Sequence, residues 1–97
     1  MARLAENALL EGVKKRLGIT GDYQDDTIKG YIQDVKEFME DAGVDKEIMQ
    51  TTRIIGAVTR GVSDLWSYGS GDGTFSSYFM QRVIQLKRAG GGENEGL

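Results

Sequence analysis

The sequence predicts an all-α protein, a small bundle of about four helices with a flexible Gly/Ser loop before the last. Two observations predict it. Proline is absent from all 97 residues, and helix interiors reject proline. Apolar residues recur at three- and four-residue spacing, the helical period, in segments whose ends coincide with glycines.

The first helix is expected from about Ala5 to Leu17. Leu9 or Leu10, Val13 and Leu17 hold the period, and Lys14, Lys15 and Arg16 sit in the last turn. Cations there suit the helix dipole, and Gly18 follows as a C-cap. After a turn, Asp25 or Asp26 caps a second helix running to about Ala42. Ile28, Tyr31, Ile32, Val35, Phe38, Met39 and Ala42 fall within an arc of about 120°. Lys29, Gln33, Lys36, Glu37 and Glu40 fill the other side, and Gly43 ends the helix.

Asp45 can cap a third helix, from about Lys46 to Tyr68. Ile48, Ile54, Ile55, Val58, Val62, Leu65 and Trp66 share its apolar arc, with Arg53, Arg60 and Asp64 opposite. Arg60 and Asp64 are spaced to pair, worth a few tenths of a kcal/mol on an exposed helix. Gly56 and Gly61 each cost about 1 kcal/mol against Ala, which points to close backbone approach or a kink. Residues 67–77 read as the flexible loop. The fourth helix spans about Ser76 to Arg88. Phe75, Phe79, Val83 and Leu86 make one apolar stripe, and Met80 and Ile84 make a second. The second stripe is either a face left for a partner or a sign of burial on two sides.

Residues 1–89 are expected to form a single helical domain and residues 90–97 a disordered tail. The absence of both Cys and His excludes disulfides, the usual zinc sites, Ser-His-Asp triads and Cys-His dyads. No cofactor, metal or catalytic residue is expected. No apolar run reaches the ~20 residues needed to span a bilayer, and Met1 to Glu6 show no signal-peptide core. Cytoplasmic synthesis without membrane insertion is the expectation.

Net charge is −3, unevenly spread. Residues 1–50 hold 11 acids and 7 bases, a net of −4, and residues 51–90 hold 2 acids and 5 bases, a net of +3. Such polarity favours head-to-tail self-association, though random scatter in a small chain also produces it. Asp34, Glu37, Glu40 and Asp41 form an acidic patch on the second helix, read as solvated or as a contact to a basic neighbour. Arg53 and Arg60, with Arg82, Lys87 and Arg88, form only a sparse phosphate-binding footprint, and there is no basic recognition helix. Gly69 to Gly73 lack the strand and the Gly-Lys-Ser/Thr ending of a P-loop. Asp22, Asp25 and Asp26 lack the spacing of a calcium loop, and helix capping explains them better.

The second helix, Ile28 to Met39, preceded by the Asp-rich turn Asp22 to Asp26, is similar to the acidic second helix of phage head–tail connector (adaptor) proteins of the gp6-like type. Leu65-Trp66 matches the aromatic end of that family's third helix. Gln85-Leu86-Lys87-Arg88-Ala89-Gly90 approximates its Gln-Leu-Arg-Gly motif, with Lys87 in place of the expected Arg. The frequent proline after the second helix is missing. The resemblance covers about residues 5–90. It implies a structural, non-enzymatic protein of the virion neck, present in the host cytoplasm before assembly. Such a protein forms a homo-oligomeric ring below the portal of a long-tailed phage or prophage, extending the DNA channel and offering a platform to a tail-side neck protein. DNA would pass without sequence-specific contact.

By that resemblance Phe75, Phe79, Met80, Val83, Ile84 and Leu86 become candidates for portal binding. From the charge asymmetry, Arg53, Arg60, Asp34, Glu37 and Asp41 are candidates for subunit contacts or the channel lining. The competing expectation is a DNA-packaging accessory, a small terminase-like DNA-binding protein. A third is a small regulatory module of a bacterial host.

Overall fold

The computed structural model describes residues 5–68 and 75–89. They form α1 (Glu6–Leu17), α2 (Asp25–Asp41), two 3-10 turns (Ile48–Gln50 and Thr52–Ile54), α3 (Ile55–Tyr68) and α4 (Ser77–Ala89). No strand occurs among the described residues, so the all-α expectation holds. Most of the loop expected at 67–77, and all of the tail expected at 90–97, lie outside the described residues.

α3 is the central helix, packed against α1, α2 and α4. Its apolar content explains that position: Ala57, Val58, Val62 and Leu65 are all buried, beside Ile54 from the preceding turn. Around them lie Leu9, Leu10 and Val13 of α1, Ile28, Ile32, Val35 and Met39 of α2, and Phe79, Val83 and Leu86 of α4. Both Leu9 and Leu10 are buried, resolving the alternative that the periodicity left open. Gly61 lets the helices meet. A Cβ there would lie 2.8 Å from Val35 Cγ1 and 2.9 Å from Phe79 Cε1. Close approach is therefore the reason for Gly61 but not for Gly56, where a Cβ would find nothing within 4 Å.

Three features of the chain depart from the periodicity. The third helix starts at Ile55 rather than near Lys46. Thr51 is extended (φ −111, ψ 162), and its hydroxyl donates to the Ile48 carbonyl at 2.8 Å while accepting from the Arg53 amide at 3.3 Å. A threonine side chain that competes for backbone partners in this way interrupts a helix and caps the next turn. The break shifts the helical phase, so Met49 enters the core while Ile48 is half-buried. Asp45 still acts at its turn, accepting from the Glu47 amide at 2.7 Å.

Asp25 and Asp26, expected as caps, stand in the first turn of α2. Gln24 occupies the N-cap position without a side-chain hydrogen bond. Asp25 instead accepts from Lys14 Nζ at 2.7 Å, and Lys14 also donates to the Gly21 carbonyl. Lys14 is thus a buried tie between the end of α1 and the start of α2, beyond any role at the helix dipole. Its pKa is raised, first by the hydrogen bond to Asp25, with desolvation opposing the shift.

The third departure is Asp64, expected on the solvent face and found buried, 5 % exposed. It lies about 90° from the centre of the buried arc of Ile54, Ala57, Val58, Val62 and Leu65 on a helical wheel, at the edge of the packed face.

Candidate functional site

α4 divides its apolar residues. Phe79, Val83 and Leu86 are buried, and Phe75 just before the helix is half-buried. Phe75 stacks at 4.8 Å from Phe38 and 4.4 Å from Phe79, and Phe38 lies 5.8 Å from Phe79. That aromatic cluster fastens α4 to α2, and Phe75, Phe79, Val83 and Leu86 are therefore inward-facing in the folded chain. Met80 (38 %) and Ile84 (47 %) stand outside, four residues apart on one side of the helix. In the Gln85-Leu86-Lys87-Arg88 segment, Leu86 is core and the Lys87 stem lies over the backbone at Gly43. A Cβ at Gly43 would lie 3.2 Å from Lys87 Cε.

The start of α4 is held by a polar latch. Asp64 Oδ2 accepts from the Ser76 amide at 2.9 Å. Ser76 Oγ accepts from the Phe79 amide at 3.2 Å, which makes Ser76 the N-cap of α4. Arg60 Nε reaches both Ser76 Oγ (3.3 Å) and Asp64 Oδ1 (3.4 Å), and its guanidinium lies 5.7 Å from the centre of the Tyr78 ring. The Arg60–Asp64 pair foreseen from spacing exists, but its acid is buried and shared with a backbone amide. A buried carboxylate that accepts from an amide and a guanidinium is a structural anchor. On the arc of Ile54, Ile55, Val58, Val62, Leu65 and Trp66 that spacing gives, Asp64 lies about 140° from the centre, so its burial carried no signal in the sequence.

Two charged surfaces flank this latch. Asp34, Glu37, Glu40 and Asp41 are exposed along the outer side of α2. On the far side of α3, a groove runs between the end of α1 and the start of α4, lined by Arg16, Leu17, Thr59, Arg60, Ser63 and Tyr78. Arg53 is exposed before α3. A smaller apolar depression adjoins the groove at Leu17, Ile19, Ser63 and Trp66, and Trp66 meets Tyr31 edge-on at 5.9 Å. Arg16 and Tyr78 had not been singled out from the sequence, because their meeting depends on α1 and α4 flanking α3. Among the described residues, no group of three or more His, Cys, Asp or Glu is placed to hold a metal ion. No helix among them is long and apolar enough to cross a membrane.

The described residues thus form a helical core with apolar, acidic and basic groups on its outer faces. A family model described as phage gp6-like head–tail connector protein matches residues 7–86, and the chain belongs to that family. It is accordingly a structural phage protein of the head–tail connector type. No curated protein and no solved structure matches the chain.

Proposed function

We propose that the chain assembles as a homo-oligomeric ring below the portal, in the neck of a long-tailed phage virion. The ring extends the DNA channel and presents its other end to a tail-side neck protein. The chain is made in the host cytoplasm and joins the head there. DNA passes the ring without base-specific contact. The observation that carries this reading, beyond family membership, is the division of α4: one stripe completes the core while Met80 and Ile84 stay exposed. These two side chains are the portal-facing anchors. Phe75, Phe79, Val83 and Leu86 support them from inside, and the acids Asp34, Glu37 and Asp41 of one subunit face Arg53 or Arg60 of the next.

Size-exclusion chromatography with light scattering tests the reading, on the chain alone and mixed with the portal protein of the same phage. A ring, formed alone or on the portal, is expected, and combined Met80→Ser and Ile84→Ser should abolish portal capture while leaving the fold intact. A chain that stays monomeric and ignores the portal would overturn the reading. Salt-dependent binding to duplex DNA would then favour the DNA-packaging accessory, since phosphate contacts release counterions.

A further inference from the structure

We infer that the groove between α1, α3 and α4 is the socket that receives the acidic face of α2 from a second copy of the chain. This deepens the proposed ring and rests on it. The argument begins with the direction of the two surfaces. At about 100° per residue, Thr59, Arg60 and Ser63 are centred roughly 180° from the buried arc of α3. On the same count, Asp34, Glu37, Glu40 and Asp41 are centred roughly 180° from the buried arc of α2. The buried arcs face each other, with Val35 against Gly61. The groove and the acids therefore point out of opposite sides of the bundle.

Two different surfaces on opposite sides cannot meet reciprocally across a twofold axis. Joined to each other, they give a heterologous, head-to-tail contact, which closes into a ring when the rotation permits. Charge selects the occupant. Arg16 and Arg60 present guanidinium groups, whose fork geometry suits carboxylates, and α2 presents a row of carboxylates. Tyr78, 59 % exposed, and the half-buried Ser63 add an aromatic wall and a hydroxyl. Arg60 is also pre-positioned: its contacts with Asp64, Ser76 and the Tyr78 ring hold a long side chain in place before association, which reduces the entropy lost on binding. The same contacts connect the socket to the cap of α4, so that filling the groove bears on the start of the helix that carries Met80 and Ile84.

The chain has no cysteine, which permits a directional test. Ser63→Cys and Glu37→Cys are made as separate full-length variants, then mixed and oxidised mildly. The socket predicts a mixed disulfide exceeding either same-variant disulfide by about tenfold, a preference equivalent to about 1.4 kcal/mol. It also predicts loss of that product near 1 M salt, where the Debye length falls to about 3 Å. Arg16→Glu should suppress the cross-link, and a partner carrying Glu40→Lys beside Glu37→Cys should restore it. Same-variant disulfides as the main products would overturn the head-to-tail contact. Rings that form without the mixed disulfide would overturn the socket and leave the ring standing. A chain that is monomeric alone and on the portal would overturn both. Duplex-DNA binding that Arg16→Glu abolishes, without any cross-link, would reassign the groove to phosphate.

Discussion

Gly30 and Gly61 are both interior helix glycines, yet the same substitution should move stability in opposite directions. At Gly30, in the middle of α2, a Cβ meets nothing within 4 Å. Alanine there removes the backbone-entropy cost of glycine and should stabilise by about 1 kcal/mol. At Gly61 the same methyl would sit 2.8 Å from Val35 Cγ1 and 2.9 Å from both Val35 Cγ2 and Phe79 Cε1. Carbon atoms prefer about 3.5–4.0 Å, so each neighbour must retreat by more than half an ångström. Neither has room. Val35 and Phe79 are both 0 % exposed, and the β-branched Val35 is stiff at χ1. Overpacking of this kind costs about 1–3 kcal/mol, against which the propensity gain of about 1 kcal/mol is set. Gly61→Ala should therefore destabilise, by up to about 2 kcal/mol. At about 4–8 °C per kcal/mol for a domain of this size, a gap of about 1–3 kcal/mol puts the two melting temperatures roughly 4–24 °C apart. Helical circular dichroism against temperature reads this directly, at protein concentrations low enough that association does not contribute. A shift of both variants in the same direction would refute the close-packing argument.

Asp64→Ala should destabilise by about 1–3 kcal/mol, because the Ser76 amide and Arg60 lose their shared acceptor in a part-buried setting. Hydrogen exchange should rise first at the start of α4, and uniform exchange would argue against a latch. Lys14→Met should lower the melting temperature at neutral pH by removing the tie to Asp25 and Gly21. Since the Lys14 pKa is raised on folding, its contribution is complete below the unfolded value of about 10.4 and declines as pH climbs through the higher folded value. The gap in stability between wild type and Lys14→Met should thus close on the alkaline side, and a gap constant with pH would contradict the assignment. Phe79→Ala should cost about 3–5 kcal/mol, whereas Ile84→Ser should stay within about 0.5 kcal/mol. Urea titrations of the two would separate core from surface on α4, and equal costs would show that Ile84 is packed.

Much of the candidate site was legible along the chain, and the part that was not depends on contacts between helices. The two-stripe pattern of α4 already separated Phe79, Val83 and Leu86 from Met80 and Ile84, because stripe membership follows from helical spacing alone. The acids of α2 were legible for the same reason. Arg16, Tyr78 and the Asp64–Ser76 hydrogen bond were not, since they join residues from different elements whose proximity no spacing encodes. Lys14 is similar: eleven residues separate it from Asp25, and only the turn between α1 and α2 brings them to 2.7 Å.

What the sequence determined by itself is the class of fold and the inward faces of α1, α2 and α4. Periodicity and the missing proline act within one helix at a time, and glycine at Gly18 and Gly43 provides the positive φ at which α1 and α2 end. The tertiary structure alone decided that Gly61 rather than Gly56 is the point of closest approach, and that a buried Asp64 holds the Ser76 amide at the entry to α4. Each is settled by what lies across a helix interface, where distances of a few tenths of an ångström change the sign of the energy.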